Sequence, residues 1–248
     1  IGLMGGDPTL HPKFDEICQI YEEMIPRRQR EIWTSGFDWK KKKDLIFKVF
    51  DEDRLTYNDH STPGGKHTPL LVAIDEVVDD KNLMWKLIDN CWIQEQWSAS
   101  ITPKGAFFCE VAASLDYLFD GPGGYELEKG WWKKTPEEFQ DQVERYCKNC
   151  SGALPMAAES DGQGGREKAT IDTVSPSMLK KLQEVNSPKI KGRNYKIFDK
   201  KYSNDDLKNY TPEWNPSNFR PFVARNDTDY EKKNQNRIVD VSKSGKLK

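Results

Sequence analysis

The apolar positions change their period along the chain, and the changes mark out its organisation. Ile1-Gly2-Leu3-Met4 is a short apolar run that stops at two glycines, an acid and a proline, and it reads as the end of a buried strand. Phe14, Ile17, Cys18, Tyr21 and Met24 then recur at helical spacing behind Pro12, a residue suited to a first helical turn. Glu31-Ile32-Trp33-Thr34 is the next strand, broken at Ser35-Gly36. Residues 41–49 read as a helix, Leu55-Thr56-Tyr57 as an extended run, and residues 70–78 and 83–88 as two more amphipathic helices. Strand, helix, strand, helix is the rhythm of a parallel α/β sheet.

After residue 90 the rhythm breaks. Residues 97–101 and 106–109 are short extended runs flanking Thr102-Pro103-Lys104-Gly105, a good hairpin turn. Residues 111–119 form a short helical pattern ended by Gly-Pro-Gly-Gly at 121–124. Thr135-Pro136-Glu137-Glu138 carries the cap, first-turn proline and acids of a helix start, and that helix runs through Phe139, Val143 and Tyr146. Beyond Met156 comes a polar, glycine-rich linker, Asp-Gly-Gln-Gly-Gly at 161–165, then one more helical stretch over 175–185. The last 50 residues are rich in Asn, Lys and Asp with no clear period, and they read as loosely ordered.

Composition supports a packed part joined to a solvated part: apolar residues are only 36% of the chain and charged ones 31%. The net charge of −2 excludes a strong overall field for nucleic acid or membrane, although residues 158–248 carry 19 Lys/Arg against 13 Asp/Glu, a net of +6. The plain reading of that basic stretch is a solvated tail. No apolar stretch approaches the roughly 18 residues of a membrane span and no signal peptide is visible, so a cytoplasmic setting is expected.

Five cysteines change the picture. Cys18 lies on the core stripe of its helix and reads as a buried small hydrophobe. Cys91, Cys109, Cys147 and Cys150 are separated by 17, 37 and 2 residues. A cytosolic chain rarely keeps disulfides, and the hairpin brings Cys91 and Cys109 together while the returning helix delivers the other pair. Four thiolates suit tetrahedral zinc and a [4Fe–4S] cluster equally on spacing alone, with unligated buried cysteines the plain alternative. Asn58-Asp59-His60 can face a barrel mouth, but an Asn-Asp pair more simply makes a polar turn. His11 and His67 have no ligand-like partner nearby in sequence, and Trp131-Trp132 reads as core or docking surface before it reads as a substrate channel.

Gly5-Gly6-Asp7-Pro8-Thr9-Leu10-His11-Pro12 resembles the GGE-type motif of radical SAM enzymes, with Asp7 in place of the usual Glu. Trp33-Thr34-Ser35-Gly36 resembles that family's segment at the third barrel strand, with Ser35 in place of Asn. Cys91, Gly105, Cys109 and Cys147-x-x-Cys150 are similar to the twitch form of the SPASM/twitch extension. The resemblance covers about residues 1–157. It implies an α/β fold: a truncated partial (β/α) barrel over residues 1–89, a small α+β twitch-like cluster domain over 90–157, and a linker, short helix and poorly ordered basic tail over 158–248. It implies that Gly5, Gly6, Asp7, Pro8 and Ser35 hold S-adenosylmethionine, and that Cys91, Cys109, Cys147 and Cys150 hold an auxiliary [4Fe–4S] cluster. A second [4Fe–4S] cluster belongs to a CxxxCxxC motif expected upstream of Ile1, so the chain by itself is expected to be inactive. The implied reaction is hydrogen abstraction from a sugar, peptide or small metabolite, with an electron donor such as flavodoxin or ferredoxin as partner. The auxiliary cluster would accept an electron from the substrate radical or position the substrate. A non-catalytic binding module, stabilised by zinc on the same four cysteines, is the reading from a different class.

Overall fold

The structure, a computed structural model of the 248-residue chain, describes residues 1–57, 70–95, 99–135, 137–156, 171–192 and 195–212. These residues fall into two compact units, 1–57 and 70–212.

The first unit alternates strand and helix as its apolar periods require: β1 (Gly2–Leu3), α1 (Phe14–Met24), β2 (Glu31–Thr34), α2 (Trp39–Val49) and β3 (Leu55–Tyr57). The strands pair in parallel in the order β1-β2-β3, with Leu3 opposite Ile32 and Ile32 opposite Leu55. A parallel pair needs a crossover, and each helix supplies one. Phe14, Cys18 and Tyr21 of α1 and Trp39, Ile46 and Val49 of α2 close over Ile32 and Phe50 to form the core. Helix C-termini leave carbonyls without partners, and here a buried guanidinium collects them: Arg30 donates to Glu22 O, Ile25 O and Val49 O at 3.0, 2.7 and 3.0 Å.

The second unit begins with β4 (Leu70–Leu71), then α3 (Ile74–Val77), α4 (Lys81–Asp89) and α5 (Trp92–Glu95). An antiparallel hairpin follows, β5 (Ser100–Thr102) and β6 (Gly105–Phe107), leading into α6 (Glu110–Leu118) and α7 (Gln140–Tyr146). The chain then returns as β7 (Asp172–Val174), α8 (Pro176–Glu184), α9 (Pro188–Gly192), β8 (Tyr195–Ile197) and α10 (Asn204–Leu207). β4, β7 and β8 make a second parallel sheet in that order, with Leu70 opposite Thr173 and Asp172 opposite Tyr195.

Three expectations change here. Residues 70–78 are two strand residues and one helical turn, because Leu70 and Leu71 pair with a segment 103 residues further along that no local pattern reveals. Residues 171–212, expected as linker, one helix and loose tail, contain two strands of this sheet; they are three residues each, too short to show a period. The unit boundary therefore lies between 57 and 70 instead of at 89/90, with residues 81–156 set into the chain between β4 and β7. Among the described residues no sheet closes into a barrel. The linker at 161–165 and residues 213–248 of the tail lie outside the described residues.

Candidate functional site

Each of the four clustered cysteines stands where a helix starts or stops. Asp80 fixes the beginning of α4, its Oδ1 accepting from Asn82 N and Leu83 N at 3.0 and 3.1 Å. Met84, Leu87 and Ile88 face inward, and the helix ends with Cys91 in the same apolar layer, its amide donating to Ile88 O at 3.0 Å. Cys109 follows β6 closely and is the N-cap of α6 in an extended conformation, its side chain making no cap hydrogen bond. Cys147 closes α7 and opens a single 3-10 turn, Cys147–Asn149, that brings the chain round to Cys150, whose amide donates to Cys147 O at 3.1 Å. The Gly152 amide then donates to Cys150 Sγ at 3.2 Å. Ser151 Oγ fastens this loop to Leu70 O at 2.7 Å, and Lys181 Nζ holds Asn149 Oδ1 at 2.6 Å.

All four side chains enter one apolar layer that also contains Ile93, Phe108, Ala153 and Leu154. Cys91 and Cys109 are each 7% exposed; Cys147 and Cys150 are half-buried. Gly152 lies between sulfurs: a Cβ there would meet Cys150 Sγ at 3.3 Å and Cys91 Sγ at 3.6 Å. None of the five cysteines is in a disulfide. Among the described residues, no three His, Cys, Asp or Glu side chains stand at the separations of a closed metal site. The four thiols are nevertheless near enough to act on one another.

Their electrostatics show it. Burial pushes the Cys109 thiol up to about 11, with Cys91 adding to the rise and the Ala112 and Val111 amides opposing it. Burial raises Cys150 to about 12, Cys109 and Cys91 adding to it and the Gly152 amide opposing. Cys147 is raised further by burial and then by Cys150, Cys109 and Cys91 together. Neighbouring thiolates in a dry layer repel, and a cation between them turns that repulsion into attraction. Soft donors, an apolar surround and an amide N–H donated to one sulfur fit a thiolate-bound metal centre.

The glycine-rich loop of the first unit is built around one carboxylate. Asp7 Oδ1 accepts from Thr9 N, Thr9 Oγ1 and Thr34 Oγ1 at 3.0, 2.7 and 2.9 Å. Its Oδ2 accepts from Ser35 N at 2.8 Å, from Ser35 Oγ, and from Phe37 N at 3.4 Å. Burial alone would push this carboxyl up; hydrogen bonds from Ser35, Thr9 and Thr34 outweigh it and hold the group below 3.8. A carboxylate offers about four lone-pair directions, and all are taken by the chain itself. Asp7 is thus the N-cap of the turn Pro8–Leu10 and a knot joining that turn to the end of β2, with no capacity left for an ammonium. Pro8 is buried in the turn. Gly5 and Gly6 are exposed with φ of 101° and 59°, and open space surrounds the position of a Cβ on either.

The other sequence candidates are not drawn into either place. His11 is exposed and its Nδ1 accepts from Lys13 N at 3.1 Å. Trp131 and Trp132 meet edge to face at 6.4 Å, Trp132 being exposed. Cys18 is fully buried, burial pushing its thiol to about 11. Asn58, Asp59, His60, His67 and Pro136 lie outside the described residues. Two residues that matter escaped the sequence reading: Gly152, and Gln142, 1% exposed against β6. Gln142 left a signal, a polar residue on the apolar stripe of Phe139, Val143 and Tyr146. No family model matches the chain, nor does any curated protein or solved structure.

Proposed function

We propose that the chain belongs to a radical SAM enzyme in which Cys91, Cys109, Cys147 and Cys150 hold an auxiliary [4Fe–4S] cluster. One observation carries this reading: three stretches of chain bring four thiols against one apolar core, and the Gly152 N–H is donated to one of the sulfurs. A four-cysteine cluster supplies one-electron transfer without an open coordination site. The chain's own part is to deliver four sulfurs, to favour the thiolate of Cys150 through the Gly152 amide, and to surround them with Ile93, Phe108 and Leu154. In the first unit Gly5 and Gly6 present open backbone where the resemblance puts S-adenosylmethionine. The Asp7 carboxylate is committed to Thr9, Thr34 and Ser35, and no step runs through it.

A second reading, a four-cysteine zinc module without catalysis, is favoured by the knuckle at 147–152, where the Gly152 amide supports Cys150 as in thiolate zinc sites. Anaerobic reconstitution separates the two. The cluster reading expects brown protein with iron and inorganic sulfide in equal amounts, and loss of both in Cys147→Ala and Cys150→Ala. Colourless protein carrying zinc alone overturns it in favour of the module. Unchanged iron in both variants overturns the ligand set.

A further inference from the structure

Three of the four cysteines come from two arms of the chain, and one buried amide spans those arms. Cys109 sits at the end of β6, and Cys147 sits 37 intervening residues later at the end of α7. Between the arms lies Gln142, whose Nε2 donates to Ala106 O at 3.0 Å and whose Oε1 accepts from Phe108 N at 3.1 Å. Tyr125 already pairs with Ala106 in both directions, at 2.8 and 2.9 Å. The Gln142 amide adds a second donor to Ala106 O and takes the Phe108 N–H, the next donor along that same edge, as a partner strand would. Phe108 is the residue before Cys109. Gln142 stands one helical turn before Tyr146, whose hydroxyl donates to the buried Asp116 of α6 at 2.6 Å, and Cys147 follows Tyr146.

We propose that Gln142 is the positioning residue of the four-cysteine site: its two hydrogen bonds set the β6–Cys109 arm in register with the α7–Cys147/Cys150 arm. The inference rests on the reading that these cysteines bind metal. Apolar contacts between the arms, such as Phe108 with Phe139, are non-directional and tolerate sliding. Two hydrogen bonds from one planar amide do not. A glutamine buried to this degree is retained only with both ends satisfied, and satisfying both fixes where its helix lies along the strand. The four thiols, near one another without standing at closed ligand spacing, depend on that register to close together on an ion.

Cobalt(II) titration of the reduced full-length chain under anaerobic conditions tests this, because thiolate-to-cobalt absorption counts sulfur ligands and chelator competition gives affinity. The wild-type chain is expected to give a four-thiolate spectrum. Gln142→Leu, similar in size without the amide, is expected to bind about 10- to 100-fold more weakly, as outer-shell substitutions at metal sites do, and with fewer thiolates. Gln142→Asn, which reaches only one of the two partners, is expected between them. Leu207→Ala, a destabilising change in the same hydrophobic core but on α10, is expected to keep the four-thiolate spectrum. A wild-type spectrum and affinity in folded Gln142→Leu overturns the inference while leaving the metal site standing. Should Gln142→Leu fail to fold, the same two results in Gln142→Asn decide. A wild-type chain with no thiolate-to-cobalt absorption removes the metal reading and this inference with it.

Discussion

Asp7 collects six donors from two stretches of chain, Thr9 and the run from Thr34 to Phe37, so its charge state governs whether the turn at Pro8–Leu10 stays tied to β2. Its carboxyl is held below 3.8 in the folded protein. A group depressed in this way contributes stability at pH values above its unfolded pKa, and that contribution is lost as pH falls through the folded value. Asp7→Asn replaces one acceptor with a donor facing other donors, and it is expected to destabilise the first unit by about 1–3 kcal/mol at neutral pH. The gap between wild type and variant should narrow as the pH falls through the lowered folded pKa of Asp7, where the wild-type carboxyl is itself protonated. Thermal unfolding followed across that range checks the sign. A gap independent of pH would show that the carboxylate's charge is irrelevant to the knot.

At the scale of elements, the glycines at 121–124 do more than end α6. The Gly124 amide donates to Lys104 O at 2.8 Å, and Tyr125 then bridges Ala106, so the run docks on the hairpin as a third, partial strand. A Cβ on Gly124 would stand 2.3 Å from Ala106 O, and one on Gly105, at φ 116°, 2.6 Å from Tyr125 O. Gly124→Ala must therefore push backbone from backbone, at an expected cost of about 1–3 kcal/mol. Gly192→Ala, with open space around it, is the control and should stay within about 0.5 kcal/mol. Denaturant midpoints of the two variants check the contrast. The helices α1, α2, α6 and α7 were legible in the sequence because an apolar stripe repeating over seven or more residues has few other readings. β4, β7 and β8 were not: Asp172, Thr173 and Val174 are all buried, yet three residues carry no period and two of the letters are polar. The same divide runs through the site. Thiol spacing announced the four cysteines, whereas Asp7's role depended on donors from Thr34, Ser35 and Phe37, which only the folded chain brings to it.

For the molecule as a whole, the apolar interior is held in two separate clusters, one built on α1, β2 and α2 and the other on the cysteine-bearing elements. A ligand that binds only the folded form stabilises the residues whose order it requires. Loading the reduced chain with cobalt(II) or zinc is expected to slow amide exchange at 91–95, in the first turn of α6 and over 147–154. Exchange in α1, β2 and α2 should be unchanged. Hydrogen-exchange mass spectrometry reads this directly, and equal protection in both sets of peptides would show that the two interiors open as one.

The return of the chain from β4 to β7 sets an order of events. The Ala73 amide reaches Ser175 Oγ at 3.2 Å across 102 residues, and Leu70 and Leu71 have their parallel partners at a similar remove. At about 5–20 residues per second, a ribosome takes roughly 5–20 s to supply that partner after β4 has emerged. Everything that carries the four clustered cysteines is made in the interval. The hairpin, α6 and α7 can assemble from contacts already in hand, while the sheet edge at β4 must wait. Until that partner is made, β4 presents an open strand edge on the nascent chain, free to meet another partner.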